Sequence, residues 1–298
     1  QVAEIMLNEK GRATGVKYFD ESDKGQIQTA DIVVVTAAAV ETARLLLNSK
    51  SKLFPNGAGN NNDWVGRNLQ GHAYTGAYGL MKDEIYDDVG PGATVAIGNF
   101  NHDNEGIIGG GVLCNEFTPM PYLFTKIRPP GAKRWGIEHK EFQRSQFKRI
   151  TQLQGPFQEI PNFEARVEVS SEVTDYWGIP VAKLSGSRHP YDPTGCQFMS
   201  DRAEEILKEA GAYFTWQSVG GRGLSGHQHQ AGTARMGNDP KTSVTNRYGQ
   251  LHEIDNIIIA DGSLHVTNGG FNPALTIMAL GYYVGDHIVK NWKGTKFR

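Results

Sequence analysis

Two strand–turn–helix units, one near each end of the 298-residue chain, constrain the fold more than any other feature. IQTADIVVVT (27–36) predicts a buried strand. The small-residue turn Ala37–Ala39 follows it, then ETARLLLNS, a helix with apolar residues at 43, 45, 46 and 47. IDNIIIADGS (254–263) predicts a second short buried strand, closing on Asp261-Gly262-Ser263. NPALTIMALGYYVGDHIVKNW then predicts a long helix with Asn272 as N-cap and Pro273 at the first helical position. The chain therefore forms an α/β layer, leaves it for a strand-rich insert, and returns.

The ends and the insert read less sharply. QVAEIMLNEKGRATGVKYFD has the alternation of a hairpin already under way, with no leading Met and no signal peptide, and this gives the expectation of a C-terminal part of a longer chain. Lys50 to Asn62 is rich in Asn, Gly, Ser and Pro and reads as a linker. Short β-like runs fall at 72–82, 93–100 and 106–114, with two more strands at 163–170 and 179–184 joined by the turn-like TDYWGIP. Residues 115–160 read as irregular, a long loop or lid. A helix is expected near 197–210, with Phe198, Ala203, Ile206 and Leu207 on one face and Gly211 as its stop.

Composition excludes some classes. Lys+Arg is 30 against 32 Asp+Glu, a balance that gives no general pull toward nucleic acid or an anionic membrane. No apolar run approaches the roughly 20 residues of a membrane span. Two cysteines, Cys114 and Cys196, make no disulfide framework, so the compartment, cytoplasm or periplasm, stays open. The 36 glycines cluster at 106–111 and 219–226, which points to tight turns and close backbone approach.

The segment GHQHQAGTARMG (226–237) admits three chemistries. A metal site on His227 and His229 lacks a third ligand at suitable spacing. A hydrolase elbow at GLSG would make Ser225 the nucleophile, but His227 stands where the closing glycine belongs and no apolar strand leads in. The third is alcohol oxidation with a histidine base. A neutral imidazole takes up a hydroxyl proton near physiological pH.

Taken together, VVVTAAAVETARLLL (33–47), VGRNLQGH (65–72), DYWGIPVAKL (175–184) and the whole run from GHQHQAGTARMG through ADGSLHVTNGGFNPALTIMAL resemble the glucose–methanol–choline family of flavin-dependent oxidoreductases. The resemblance implies a bound FAD and an α/β flavin-binding layer with an antiparallel-sheet substrate domain. It implies domains over 1–49 (part of the flavin-binding domain), 50–216 (substrate-binding) and 217–298 (the returning segment). His229 matches the family's catalytic histidine, and Asn272 the second active-site position. Asp261 and Gly262 match a turn beside the flavin, the Ala37, Ala38 and Thr42 region a second one, and Pro273 and Thr276 open the helix whose positive end faces the ring. Gly269-Gly270 is expected to let the backbone approach the flavin. The substrate implied is a small sugar or alcohol. An electron-acceptor protein is a further expected partner, since the terminal signature leans toward the dehydrogenases.

One departure matters. The chain contains no G-x-G-x-x-G unit between a strand and a helix, and no acidic residue for the ribose. A missing N-terminal FAD-binding segment is therefore expected as a partner. A competing reading is a non-catalytic carbohydrate-binding module built on the glycine-rich and aromatic insert.

Overall fold

The computed structural model describes residues 1–85, 92–115, 120–224 and 228–291. Three antiparallel strands open the chain: β1 (Val2–Leu7), β2 (Ala13–Phe19) and β3 (Gly25–Thr29), in that spatial order. The single strand expected over 27–36 is two. It breaks at Ala30–Asp31, where Ala30 N–H still bonds Thr14 of the first sheet while the Asp31 carbonyl accepts from Asn256 Nδ2 at 2.8 Å. Beyond the break β4 (Val33–Val35) enters another sheet, and α1 (Ala38–Asn48) follows, burying Ala39, Ala43, Leu46 and Leu47.

Residues 50–62 do not form a linker. Phe54 and Ala58 are buried in the same core as α1, and Ala58 N–H bonds the Leu46 carbonyl at 2.8 Å. Their composition reflects irregular backbone, not loose packing.

The insert then runs through β5 (His72–Leu80), β6 (Ala96–Ile97), β7 (Leu113–Cys114), α2 (Pro121–Phe124), α3 (Ile137–Gln146), β8 (Ile150–Gln158), β9 (Arg166–Thr174), β10 (Pro180–Ser185), α4 (Asp192–Glu209) and β11 (Phe214–Ser218). Strands β11-β5-β8-β7-β6 make one antiparallel sheet in that order. Its central strand, β8, lies in the stretch read as irregular. Gly155 and Pro156 look like a break in the sequence, yet both are strand residues, opposite Thr75 and Tyr74.

Gly155 is required by crowding. A Cβ there would stand 1.8 Å from the Val112 carbonyl oxygen. Gly155→Ala is expected to cost at least about 2 kcal/mol of stability, because backbone has to yield. Gly25→Ala, which meets nothing within 4 Å, is expected to stay within about 0.5 kcal/mol. Urea midpoints of the two variants check this, and equal midpoints would refute the crowding argument.

Helix α4 starts five residues earlier than expected because Pro193 occupies its first turn, where the missing N–H costs nothing. It packs Cys196, Met199, Ala203 and Leu207 against Ala73, Ala77, Leu153 and Phe157 of the sheet. Neither cysteine forms a disulfide among the described residues. The β9–β10 hairpin turns the other way. Val167 joins the α/β core, and Arg44 of α1 donates to the Pro180 carbonyl at 2.8 Å and to Asp175 at 2.6 Å.

The chain then returns. β12 (Ile257–Ile259) pairs in parallel with β4, Val33 opposite Ile257 through Val35 opposite Ile259, and α5 (Ala274–Asn291) closes the described chain. Among the described residues no helix is long and apolar enough to cross a membrane.

Candidate active site

The loop after β11 is stitched to the turn that follows β12. Gly232, Ala234 and Met236 donate their N–H groups to the carbonyls of Gly262, Ser263 and Leu264 at 3.1, 2.9 and 3.0 Å. Thr233 is fully buried and its hydroxyl donates to the Ala39 carbonyl at 2.6 Å. Gly232 has φ of +88°, and a Cβ there would meet the Asn68 carbonyl at 2.5 Å. The G-T-A-R-M run therefore fastens the loop, and what it fastens is His229. Residues 225–227, with Ser225 and His227, lie outside the described residues.

His229 sits in the left-handed region at φ +58°, a conformation that histidine tolerates better than most side chains. Its Nε2 lies 3.4 Å from Asn272 Nδ2, so the two expected active-site side chains meet although 43 residues separate them. Its Nδ1 lies 2.7 Å from Nδ1 of His72, at the start of β5. The other nitrogen of His72 faces the Gly269 carbonyl at 2.9 Å.

These contacts fix the tautomers. A carbonyl only accepts, so His72 Nε2 carries a proton and donates to it. Burial pushes the His72 pKa down to about 4, so near pH 7 the ring is neutral and its Nδ1 is an acceptor. His229 Nδ1 must then be the donor between the two rings. Burial also lowers the pKa of His229, which leaves Nε2 of a neutral ring as a lone pair beside the Asn272 amide. The pair has one orientation in which every contact is satisfied, and that orientation exposes a base.

Asn268 holds both histidine-bearing backbones. Its Nδ2 donates to the His229 carbonyl at 2.7 Å and to the Gly71 carbonyl at 3.1 Å, while its own N–H donates to Gln70 Oε1. The Gly71 N–H donates to Glu159 Oε2 at 3.0 Å. Asn272 does not cap α5 with its side chain among the described residues. The first helical hydrogen bond runs from Ile277 N–H to the Pro273 carbonyl, one residue later than expected, and the Asn272 amide turns to His229 instead.

Ala37, Ala38, Thr42 and Asp261 also converge. Asp261 Oδ2 accepts from Ala38 N–H at 3.0 Å and from the Thr42 hydroxyl at 2.6 Å, and the same hydroxyl oxygen accepts from Ala37 N–H at 3.2 Å. Oδ1 accepts from the N–H and the hydroxyl of Ser263. The carboxylate thus braces the two ends of the chain, and contact with a bound group falls to the neighbouring backbone. Gly262 packs under Ile277, 3.2 Å from where a Cβ would stand, which places this turn beneath the first turn of α5 with Pro273 buried and Thr276 exposed. Gly270 has a different reason from the one expected. A Cβ there would stand 2.4 Å from the Gly110 carbonyl, so its close approach is to the glycine pair before β7.

Sequence reasoning passed over His72, Asn268 and Glu159. His72 ends the quoted VGRNLQGH run, and that run was the available signal. The other two carry no local pattern.

A half-buried neutral imidazole, a neighbouring amide and two turns under a helix N-terminus thus meet in one place. Two family models described as GMC oxidoreductase match the chain, one over residues 1–74 and one over 161–281. The chain belongs to the glucose–methanol–choline oxidoreductase family, a family of FAD-binding flavoproteins. It is 29 % identical to a 2-methyl-1,2-propanediol dehydrogenase of Mycolicibacterium austroafricanum, over 97 % of this chain and 53 % of the other. It is 30 % identical to a 6'''-hydroxyparomomycin C oxidase of Streptomyces lividus, over 90 % of this chain and 47 % of the other. Among solved structures, a pyridoxine 4-oxidase from Mesorbium loti shares the fold with a TM-score of 0.61 at 15 % identity, over 97 % of this chain and 57 % of that one. The chain spans about half the length of the curated relatives it matches.

The residues present fit the flavin end of FAD. Asn68 Nδ2 and His265 Nε2 are buried without a partner among the described residues; His265 closes the 262–265 turn, and the Asn68 backbone lies against Gly232, which bonds Gly262 of that turn. The first N–H groups of α5 have no intrahelical acceptor. For the adenine end the described chain offers no strand–glycine loop–helix cradle. The 219–224 stretch follows β11, and the next described residues, 228–231, are not helical.

Proposed function

We propose that this chain is the catalytic part of an FAD-dependent oxidoreductase that oxidises a CH–OH group of a sugar or alcohol. His229 is the base and Asn272 orients the hydroxyl. The observation that carries the reading is the 3.4 Å approach of Asn272 Nδ2 to His229 Nε2, with the His72–Gly269 contact fixing the tautomer behind it. The hydroxyl proton passes to His229 Nε2, and Asn272 Nδ2 donates to the substrate oxygen and holds it in line. FAD, when bound, supplies the acceptor for the hydride that leaves the same carbon. The exposed N–H groups at the start of α5 favour negative charge beside them. Reoxidation by an electron-acceptor protein belongs to the same proposal.

In this reading residues 1–49 and 217–298 share one flavin-binding layer, 50–216 shapes the substrate side, and an N-terminal segment completes the layer. Two features support that last point. Among the described residues β4 pairs with β12 alone, leaving an open edge, and α5 presents Leu275, Met278 and Tyr282 to solvent. Parallel strands are ordinarily covered on both faces. Co-expression with such a segment, followed by spectra of the bound flavin and its bleaching by a sugar or alcohol, tests the reading.

The pH dependence has a definite sign. The base works in its neutral form, and burial lowers the His229 pKa from 6.5. Flavin reduction is expected to be flat above neutrality and to fall as pH drops, with a midpoint below 6.5. Stopped-flow reduction across pH 4.5–9 measures it. A rate that rises on acidification would refute the assignment of the base.

A further inference from the structure

Beside the histidine pair lies a cavity of about 330 Å³ lined by His72, Tyr74, Arg188, Gly220, Arg222 and Gln228, a size suited to small ligands. Arg188 has no part in the chemistry described so far. Its side chain is 6 % exposed. Nε donates to Glu159 Oε1 at 2.7 Å and Nη1 to the Arg222 carbonyl at 2.8 Å. No acceptor among the described residues engages Nη2, which leaves that nitrogen for the cavity that Arg188 lines.

The guanidinium is held rigidly. Glu159 grips it with one oxygen and accepts from Gly71 N–H with the other, so a single carboxylate ties Arg188 to the backbone that carries His72. The charge is uneven. Arg188 and Arg222 both line the cavity; of the carboxylates behind it Glu159 pairs with Arg188, while Asp192, fully buried with Oδ2 unpartnered among the described residues, has its pKa raised by burial to about 7. A neutral polyol leaves this positive wall unused, and a cationic amino sugar is repelled by it.

We infer that Arg188 selects a polyhydroxylated substrate bearing an anionic oxygen, a sugar acid or a sugar phosphate, with that group in the cavity and a hydroxyl presented to His229. This deepens the proposed function and rests on it for the hydroxyl. The oxyanion is the chemistry the two ligand types share, and charge-assisted Arg–oxyanion bonds are among the stronger ones available.

Calorimetric titration of the full chain with gluconate, glucose 6-phosphate, glucose and glucosamine tests it, with the imidazole ¹⁵N signals of His72 and His229 followed in the same samples. At least one anion is expected to bind about tenfold or more tighter than glucose, with glucosamine weakest and both imidazoles shifted. Whichever anion binds tighter separates carboxylate from phosphate. Arg222→Gln, at the exposed rim, is expected to lower anion affinity a few-fold. The double variant Arg188→Gln/Glu159→Gln removes both buried charges together and is expected to abolish the preference. If the double variant does not fold, the salt dependence of anion binding, absent for glucose, carries the test with Arg222→Gln. Equal affinities for anions and glucose, unmoved imidazole signals, or a preference that survives the substitutions would overturn the inference. His229-dependent flavin bleaching by neutral alcohols without anion preference would sink this inference alone. Arg188-dependent anion binding with bleaching indifferent to His229 would sink only the proposed function.

Discussion

Replacing His229 by alanine is expected to slow flavin reduction by about 10²–10⁴-fold, the usual worth of a positioned base. The effect should fall on the rate of reduction more than on substrate affinity, because the lone pair on Nε2 matters most as the O–H bond breaks. Alanine at φ +58° adds about 1–2 kcal/mol of backbone strain. A melting curve therefore accompanies the kinetics, to separate strain from lost chemistry. Asn272→Ala is expected to do less, since its amide orients and does not take the proton. Stopped-flow bleaching of the flavin by the same sugar or alcohol compares the variants. A His229→Ala protein that bleaches at the parental rate would end the assignment.

The largest stability effect is expected at Glu159. It is 2 % exposed and holds Arg188 at 2.7 Å and Gly71 N–H at 3.0 Å. Glu159→Gln keeps the shape and one acceptor but strands the Arg188 charge in the interior. Breaking such a buried pair from one side costs about 3–5 kcal/mol, most of it the price of the uncompensated ion. The exposed pair Lys290–Asp286 at 2.7 Å gives the contrast, since Asp286→Asn should change stability by no more than about 0.5 kcal/mol. Urea denaturation of both variants measures the difference. A Glu159→Gln loss no greater than that of Asp286→Asn would mean that water reaches the Arg188 guanidinium.

The parts legible in the sequence are those whose signal is local. β4, α1, β12 and α5 announce themselves through short apolar runs, small-residue turns and helical spacing, and their pairing follows from parallel strands joined by helices. β8 was illegible because Gly155 and Pro156 interrupt its pattern. The reason for that glycine is the Val112 carbonyl on a neighbouring segment, and no window around residue 155 contains it. Likewise the polar 50–62 run hides two core residues, Phe54 and Ala58.

The site divides in the same way. His229, Asn272 and Asp261 stand in runs distinctive enough to carry a family resemblance. His72 does its work across 157 residues, and Asn268 and Glu159 act on backbone groups of Gly71 and His229 that any side chain would possess. Pairings of that kind leave no trace in spacing.

The left-handed backbone at residue 229 limits redesign of this site. Glycine, asparagine and aspartate share histidine's tolerance of that geometry, whereas a branched or bulky replacement would first have to rebuild the turn. Of the tolerated substitutes only aspartate can take up a proton, and it would bring a negative charge up against His72. Directed evolution of a new proton acceptor is therefore better begun from Asn272, where the peptide imposes no such restriction.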